Sequence, residues 1–264
     1  MEKNCNIIRF DEVDSTNSRL YACRRFLQSG TVFAASFQSA GRGQKGNRWA
    51  AEKGKNLTFS LLFKPKSIPA GSQFRISAAA SLAIIDYLKE TGIDATIKWP
   101  NDIYVGDRKI CGMLIENSVS GTLISSSVIG IGLNLNQRIF GKDIPNPTSV
   151  SILTGKERNP DREMERLLEK LFLLLGQAET DSGLIDEYNA LLYRRGVECD
   201  WLDCRNSPET NLTASNRKVD AGERITGKIT GVNSQGLLQI KLKSGPEILF
   251  SFKEIRYLNL PCQQ

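Results

Sequence analysis

The stretch ATIKWPNDIYVGDRKICGMLIE, residues 95–116, decides how the chain folds. ATIKW has the β-branched and aromatic content of a strand, and Pro100, Asn101 and Asp102 are turn formers that end it. Two further β-type runs then flank Gly106-Asp107, the signature of a tight hairpin. Working upstream, Phe74, Ala78, Leu82, Ile85 and Leu88 recur every three or four residues, which predicts a helix ending at Gly92. NLTFSLLF (56–63) and TVFAASF (31–37) read as strands. Asp14-Ser15-Thr16-Asn17 is a cluster of N-cap residues ahead of Leu20, Cys23 and Leu27, a helix that Gly30 stops.

Downstream, LISSSVIGIGLNLN (123–136) gives another strand. A helix over Asp161–Ala178 turns Met164, Leu167, Leu168, Leu171, Leu174 and Leu175 inward, and a third runs over Leu184–Arg195 to Gly196. These elements predict an α+β class: a mixed, mostly antiparallel sheet with helices packed on one side. After position 195 the texture changes. VECDWLDC, ERITGKITGVN, LLQIKLK and EILFSF are short strands separated by Gly, Asn and Ser turns, the pattern of a small β-barrel. The expected division is therefore 1–195 and 196–264.

Composition narrows the chemistry. The chain of 264 residues contains no histidine, which removes Ser-His-Asp and Cys-His nucleophile systems, H-E-x-x-H metalloproteases and C2H2 fingers. Any general base must be a carboxylate, lysine, tyrosine or cysteine. Six cysteines without a C-x-x-C pair argue against a disulfide framework, and no metal-ligating set is expected. The longest strictly apolar run, Leu171–Leu175, is far short of the about 20 residues that span a bilayer. The N-terminus has no basic region followed by an apolar stretch, so a signal peptide is not expected and the expected compartment is the cytoplasm. A net charge of +6 suits a phosphate-bearing substrate without requiring nucleic acid.

Between the second and third predicted elements lies the loop Gln38–Asn56, and within it GRGQKG (41–46) literally matches G-x-G-x-x-G. A dinucleotide fold would open a helix here and place an acidic residue about 20 positions on; neither follows. The P-loop pattern fails as well, because Asn47-Arg48 stand where Lys-Ser/Thr is needed. What remains is glycine for close backbone approach, Arg42, Lys45 and Arg48 as donors to a carboxylate or phosphate, and Trp49 as an aromatic face for a base. A long loop of this kind reads as a ligand lid.

Ser15-Thr16-Asn17, Gln38 with GRGQKGNRW, KWPND, RKICGMLIE and GIGLNLN occur in that order. The set resembles the catalytic domain of the biotin protein ligases, and GKITGVNSQGLLQI with the later KEI is similar to their C-terminal SH3-like domain. The resemblance implies a class II synthetase-like ligase fold. It implies ATP-dependent attachment of biotin to a lysine of a biotin carboxyl carrier protein, through biotinyl-5′-AMP, with Mg²⁺ accompanying the triphosphate. It assigns Ser15, Thr16 and Gln38 to the ureido ring of biotin, with Asn17 adjacent and Gly41, Arg42, Gly43, Gln44, Lys109 and Gly112 completing the biotin site. Arg42, Gln44, Arg48, Trp49, Lys98, Asn101 and Asn134 fall to ATP, with Trp49 stacked on adenine. Arg42, Lys109 and Asp102 would be catalytic: the cations hold the carboxylate and acyl phosphate, and Asp102 orients the incoming amine. That amine, of pKa ~10.4, must lose a proton, and with no histidine Asp102 is the candidate acceptor.

Two departures stand out. Gln44 and Asn47 replace arginines common in the family, which weakens an electrostatic clamp there. The segment before Ser15 is expected to be too short for the N-terminal helix-turn-helix of some relatives, so no specific DNA is expected as a partner. A homodimer is compatible with the resemblance. Two other readings compete: a lipoate or octanoate protein ligase/transferase of the same fold, with Cys111 as nucleophile, and a basic nucleic-acid-binding module centred on the barrel.

Overall fold

A computed structural model describes residues 6–44, 47–142, 144–180, 183–205 and 222–258. Lys45, together with Arg217 and Lys218 of the second unit, lies outside these residues. The larger sheet contains β1 (Asn6–Val13), β2 (Thr31–Gln38), β3 (Leu57–Phe63), β4 (Thr96–Lys98), β5 (Asp102–Val105), β6 (Arg108–Ser120) and β7 (Leu123–Leu133). Its order is β1-β2-β3-β7-β6-β5-β4. Every pairing is antiparallel except β1 with β2, which is parallel. The hairpin at Gly106-Asp107 forms between β5 and β6 as the sequence predicts.

Period-2 alternation sorts this sheet into two faces. Leu57, Phe59, Leu61 and Phe63 of β3 meet Ile129, Ile131 and Leu133 of β7 on the face covered by α2 (Phe74–Glu90) and α4 (Pro160–Ala178). The opposite face carries Thr58, Ser60, Gly130, Gly132, Gly112 and Leu114, which are cross-strand partners of one another. Helix α1 (Thr16–Cys23) lies over this second face, where Leu20 packs on Phe33, Leu62 and Val128. Ser15 caps α1 by accepting from Ser18 N. The polar, glycine-rich face is the floor on which the site is built.

Three local expectations differ from the structure. Strand β1 had no place in the sequence reading, because a half-exposed edge strand with Arg9, Asp11 and Glu12 lacks a clean apolar alternation. Helix α1 ends at Cys23, and Leu27 reaches the Leu20 cluster from the turn that follows. Helix α5 (Leu184–Ala190) stops short of Arg195, because the next residues pair with β4: Ile97 N donates to Leu191 O and Tyr193 N donates to Ile97 O. A short helix α3 (Val150–Thr154) follows β7.

The second sheet comprises β8 (Glu198–Asp203), β9 (Glu223–Val232), β10 (Leu238–Leu242), β11 (Glu247–Phe250) and β12 (Ile255–Tyr257), antiparallel throughout in the order β11-β10-β9-β8-β12. It is fastened to the first unit at defined points. The Asn189 side chain donates to Val232 O (3.0 Å) and accepts from Val232 N (2.7 Å), and Trp99 Nε1 donates to Gly236 O (3.0 Å). One apolar cluster runs through both sheets, from Val32 to Trp201, Ile240 and Ile255.

Candidate functional site

A cavity of about 400 Å³ opens over the polar face of the larger sheet. At one end, the β2 terminus and the α1 N-terminus meet. Gln38 Oε1 accepts from Thr16 N (2.7 Å) and Thr16 Oγ1 (3.0 Å), Thr16 Oγ1 lies 2.8 Å from Ser60 Oγ, and Ser60 Oγ donates to Asn17 Oδ1 (2.9 Å). These groups are buried or half-buried, and they form a connected set of donors and acceptors beside Ser15.

At the other end, the turn between β4 and β5 brings up the charged groups. Lys109 Nζ stands 2.7 Å from Asp102 Oδ1, with both side chains mostly buried. Asn101 Nδ2 donates to Met113 O (2.6 Å) while its own carbonyl accepts from Met113 N, so the turn is stapled to β6. Lys98 Nζ donates to Tyr104 Oη (3.0 Å) and sits 4.7 Å from the Tyr104 ring centroid. Burial pushes the Lys98 ammonium down from the ordinary lysine range, and the neighbouring Asp102 charge acts against that shift. The second sheet closes this end with Trp201, Phe252, Ile255 and Tyr257.

The glycine-rich loop forms the roof. It folds back on itself: Gly43 N donates to Asn47 O (2.8 Å) and Trp49 N donates to Gly41 O (3.0 Å). A Cβ at Gly41 would lie 2.3 Å from the Trp49 carbonyl oxygen, so this return requires glycine. The Trp49 ring rests on Gly132, where a Cβ would sit 2.3 Å from its Cε2, and Lys109 Nζ is 5.8 Å from the ring centroid. Trp49 Nε1 and Gln44 Oε1 are buried without a hydrogen-bond partner, both on cavity-lining residues. Orphaned groups of this kind cost free energy unless a ligand satisfies them.

Most residues singled out from the sequence are thus brought together: Ser15, Thr16, Asn17, Gln38, Arg42, Gly43, Gln44, Arg48, Trp49, Lys98, Asn101, Asp102, Lys109 and Gly112 all line the cavity. Two are placed otherwise, and the Arg42 side chain is engaged differently from the expectation. Gly41 lines a second, adjoining hollow together with Leu114 and Glu116. Asn134, expected at the nucleotide, is buried at the end of β7 with its amide donating to Thr148 O (2.9 Å). Arg42, expected on carboxylate and phosphate, turns its guanidinium to Glu116, 3.1 Å from Oε1. Ser60, Gly130, Gly132, Glu116 and the wall of the second sheet were not singled out. A lone serine inside LTFSLLF and the alternating glycines of VIGIGL were the available signals for three of them.

Cys111 has no access to the cavity. It is fully buried, burial pushes its thiol well above the ordinary range, and its Sγ lies 3.8 Å from Gly112 O. Iodoacetamide is therefore expected to label exposed Cys23 and leave Cys111 unmodified in the native protein, read by peptide mass spectrometry. Stoichiometric labelling of Cys111 would revive the acyl-cysteine reading.

Residues 9–134 match the model of the Biotin/lipoate A/B protein ligase family. The biotin–[acetyl-CoA-carboxylase] ligase of Paracoccus denitrificans is 34% identical over 161 residues, 58% of this chain and 66% of that protein. The bifunctional ligase/repressor BirA of Salmonella typhimurium is 33% identical over 148 residues, 56% of this chain and 46% of that protein. The chain thus spans about half the length of the bifunctional relatives it matches. Among solved structures, a biotin protein ligase from Aquifex aeolicus in complex with biotin and ATP superposes with a TM-score of 0.74 at 26% identity, covering 96% of this chain and 98% of that one.

Proposed function

Because the chain carries, over residues 9–134, a domain of the biotin/lipoate A/B protein ligase family, we propose that it is an ATP-dependent biotin–protein ligase. The observation that carries this reading is the joining, in one cavity, of the Thr16–Gln38–Ser60–Asn17 set at one end with the Lys109–Asp102 pair at the other. A neutral ureido ring has donors and acceptors that suit the first. A carboxylate that must meet a triphosphate suits the second, where fixed cations offset the charge that develops.

In the first half-reaction the biotin carboxylate attacks the α-phosphorus of ATP, and the bond to pyrophosphate breaks. Lys109 would move from Asp102 to the carboxylate and then to the acyl-phosphate oxygens, with Lys98 adding a second positive charge. In the second half-reaction a lysine amine of a biotin carboxyl carrier protein attacks the acyl carbon, AMP leaves, and the amine sheds its proton. Asp102, released from Lys109, would hold that amine and take or relay the proton. Trp49 and Asn101 would flank the nucleotide. Asp102 is the one carboxylate among the cavity-lining residues, and no cluster of three or more metal-ligating side chains exists among the described residues. That donor set fits Mg²⁺ held on phosphate oxygens and water, where it would neutralise the triphosphate.

The proposed division is a ligase unit over 1–195 and an SH3-like unit over 196–264, and the proposed workplace is the cytoplasm. No described helix is long and apolar enough to cross a membrane. The test is exchange of labelled pyrophosphate into ATP with biotin, lipoate or octanoate as the acid. Exchange is expected with biotin alone; exchange driven only by lipoate or octanoate would transfer the site to the competing acyl group, and none with any acid would refute ligation. DNA binding is expected to be weak, indifferent to sequence and lost as salt rises through the physiological range, as anisotropy on specific and scrambled duplexes would record.

A further inference from the structure

We propose that Glu116 is a positioning residue that ties the glycine-rich loop to the polar wall of the cavity. The proposal deepens the functional reading above and rests on it for the identity of the ligand. Glu116 stands on the polar face of β6, opposite Val128 of β7, and its side chain is mostly buried. Both of its oxygens are engaged. Oε2 accepts from Asn17 Nδ2 (2.6 Å) and from Arg42 Nη1 (3.3 Å), and Oε1 accepts from Arg42 Nη2 (3.1 Å). Arg42 also donates to Ser18 Oγ (3.2 Å).

A carboxylate only accepts, and this fixes the direction of donation through its neighbours. Asn17 must present its NH₂ to Glu116, so its Oδ1 faces Ser60 and takes the Ser60 hydroxyl proton. Ser60 has no second proton, so the hydroxyl proton of Thr16 lies between Ser60 Oγ and Gln38 Oε1. One anionic group thereby sets the polarity of the wall that would read a ureido ring. Through Arg42 it also holds the roof down. Charge-assisted bonds of this kind are stronger than neutral ones and geometrically directed. Glu116 bonds to Asn17 and Arg42, whereas Lys109 and Asp102 pair with each other, so its influence falls on binding and loop closure rather than on proton or phosphoryl movement.

The experiment compares Glu116→Gln and Glu116→Ala with the wild-type chain by amide hydrogen exchange and by pyrophosphate-exchange kinetics. Without ligand, exchange at residues 41–44 and 47–49 is expected to accelerate on the order of tenfold in Glu116→Ala and less in Glu116→Gln, which keeps one of the two ties. KM for biotin is expected to rise by a similar factor, while kcat at saturating biotin changes by only about twofold. Adding Arg42→Ala to Glu116→Ala should loosen the loop no further, since the tie is already gone. A folded Glu116→Gln and a folded Glu116→Ala with wild-type loop exchange and wild-type KM would overturn the proposal. So would a loss confined to kcat. If the wild-type protein shows no biotin-dependent exchange, the functional reading falls, whereas a loosened loop in the ligand-free variants would still support the tie.

Discussion

Replacing Lys109 with alanine is expected to slow biotin-dependent ATP–pyrophosphate exchange by about 10²–10³-fold, the effect of removing one preorganised charge-stabilising donor. Lys109 is the cavity cation paired with Asp102, at 2.7 Å, and residues of the second sheet line the same cavity. Without it the carboxylate of the ligand would approach Asp102 with no intervening positive charge, and two anions would have to be held close together. Lys98 adds its charge beside Lys109 but does not replace it, because its ammonium is held at Tyr104 Oη rather than at Asp102. Lys109→Arg should restore little, since a planar fork does not reproduce a compact ammonium on a flexible stem. The fold should survive, as near-UV circular dichroism would show, because both members of the pair retain some exposure. Near-normal exchange kinetics in a folded Lys109→Ala protein would refute the assignment.

The largest expected loss of stability is at Trp201. Its side chain is 1% exposed, its ring centroid lies 4.0 Å from that of Tyr257, and it belongs to the cluster that unites the two sheets. Truncation to alanine should cost about 3–5 kcal/mol, the range for deleting a buried aromatic side chain. Against a typical total of about 5–15 kcal/mol this is a large share. Urea denaturation should show a lower midpoint with an unchanged slope. A loss below about 1 kcal/mol would mean that the second sheet is not part of a common core.

Much of the architecture was legible because it rests on local signals. The 3.6-residue stripe of α4, the turn pair Gly106-Asp107 and the alternation in VIGIGL each state their structure within a few residues. The motif residues were legible for the same reason: Ser15, Gln38, Asp102 and Lys109 end or begin predicted elements, and strand ends converge on one face. What escaped is what depends on distant chain. Phe252 and Tyr257 reach the cavity only because Trp99 and Asn189 anchor the second sheet, a contact that no short window encodes. Asn134 looked like a ligand-facing amide, yet the polypeptide returning at Thr148 claims it. Arg42 looked free to meet an anion, and Glu116, far away in sequence, engages it first.

The union of both sheets in one apolar cluster, with the cavity walled by each, has a consequence for how occupancy can be detected. Ligand binding cannot stabilise one half of the molecule alone, so the binding free energy at the prevailing ligand concentration is added to the free-energy difference between native and denatured chain. At a free ligand concentration of 100 Kd the native state should gain about 2.7 kcal/mol. For a protein of this size each kcal/mol raises the melting midpoint by about 2–4 °C. A dye-based melting screen of small acids and nucleotides would therefore rank candidate substrates from a single transition, before any acceptor protein is in hand.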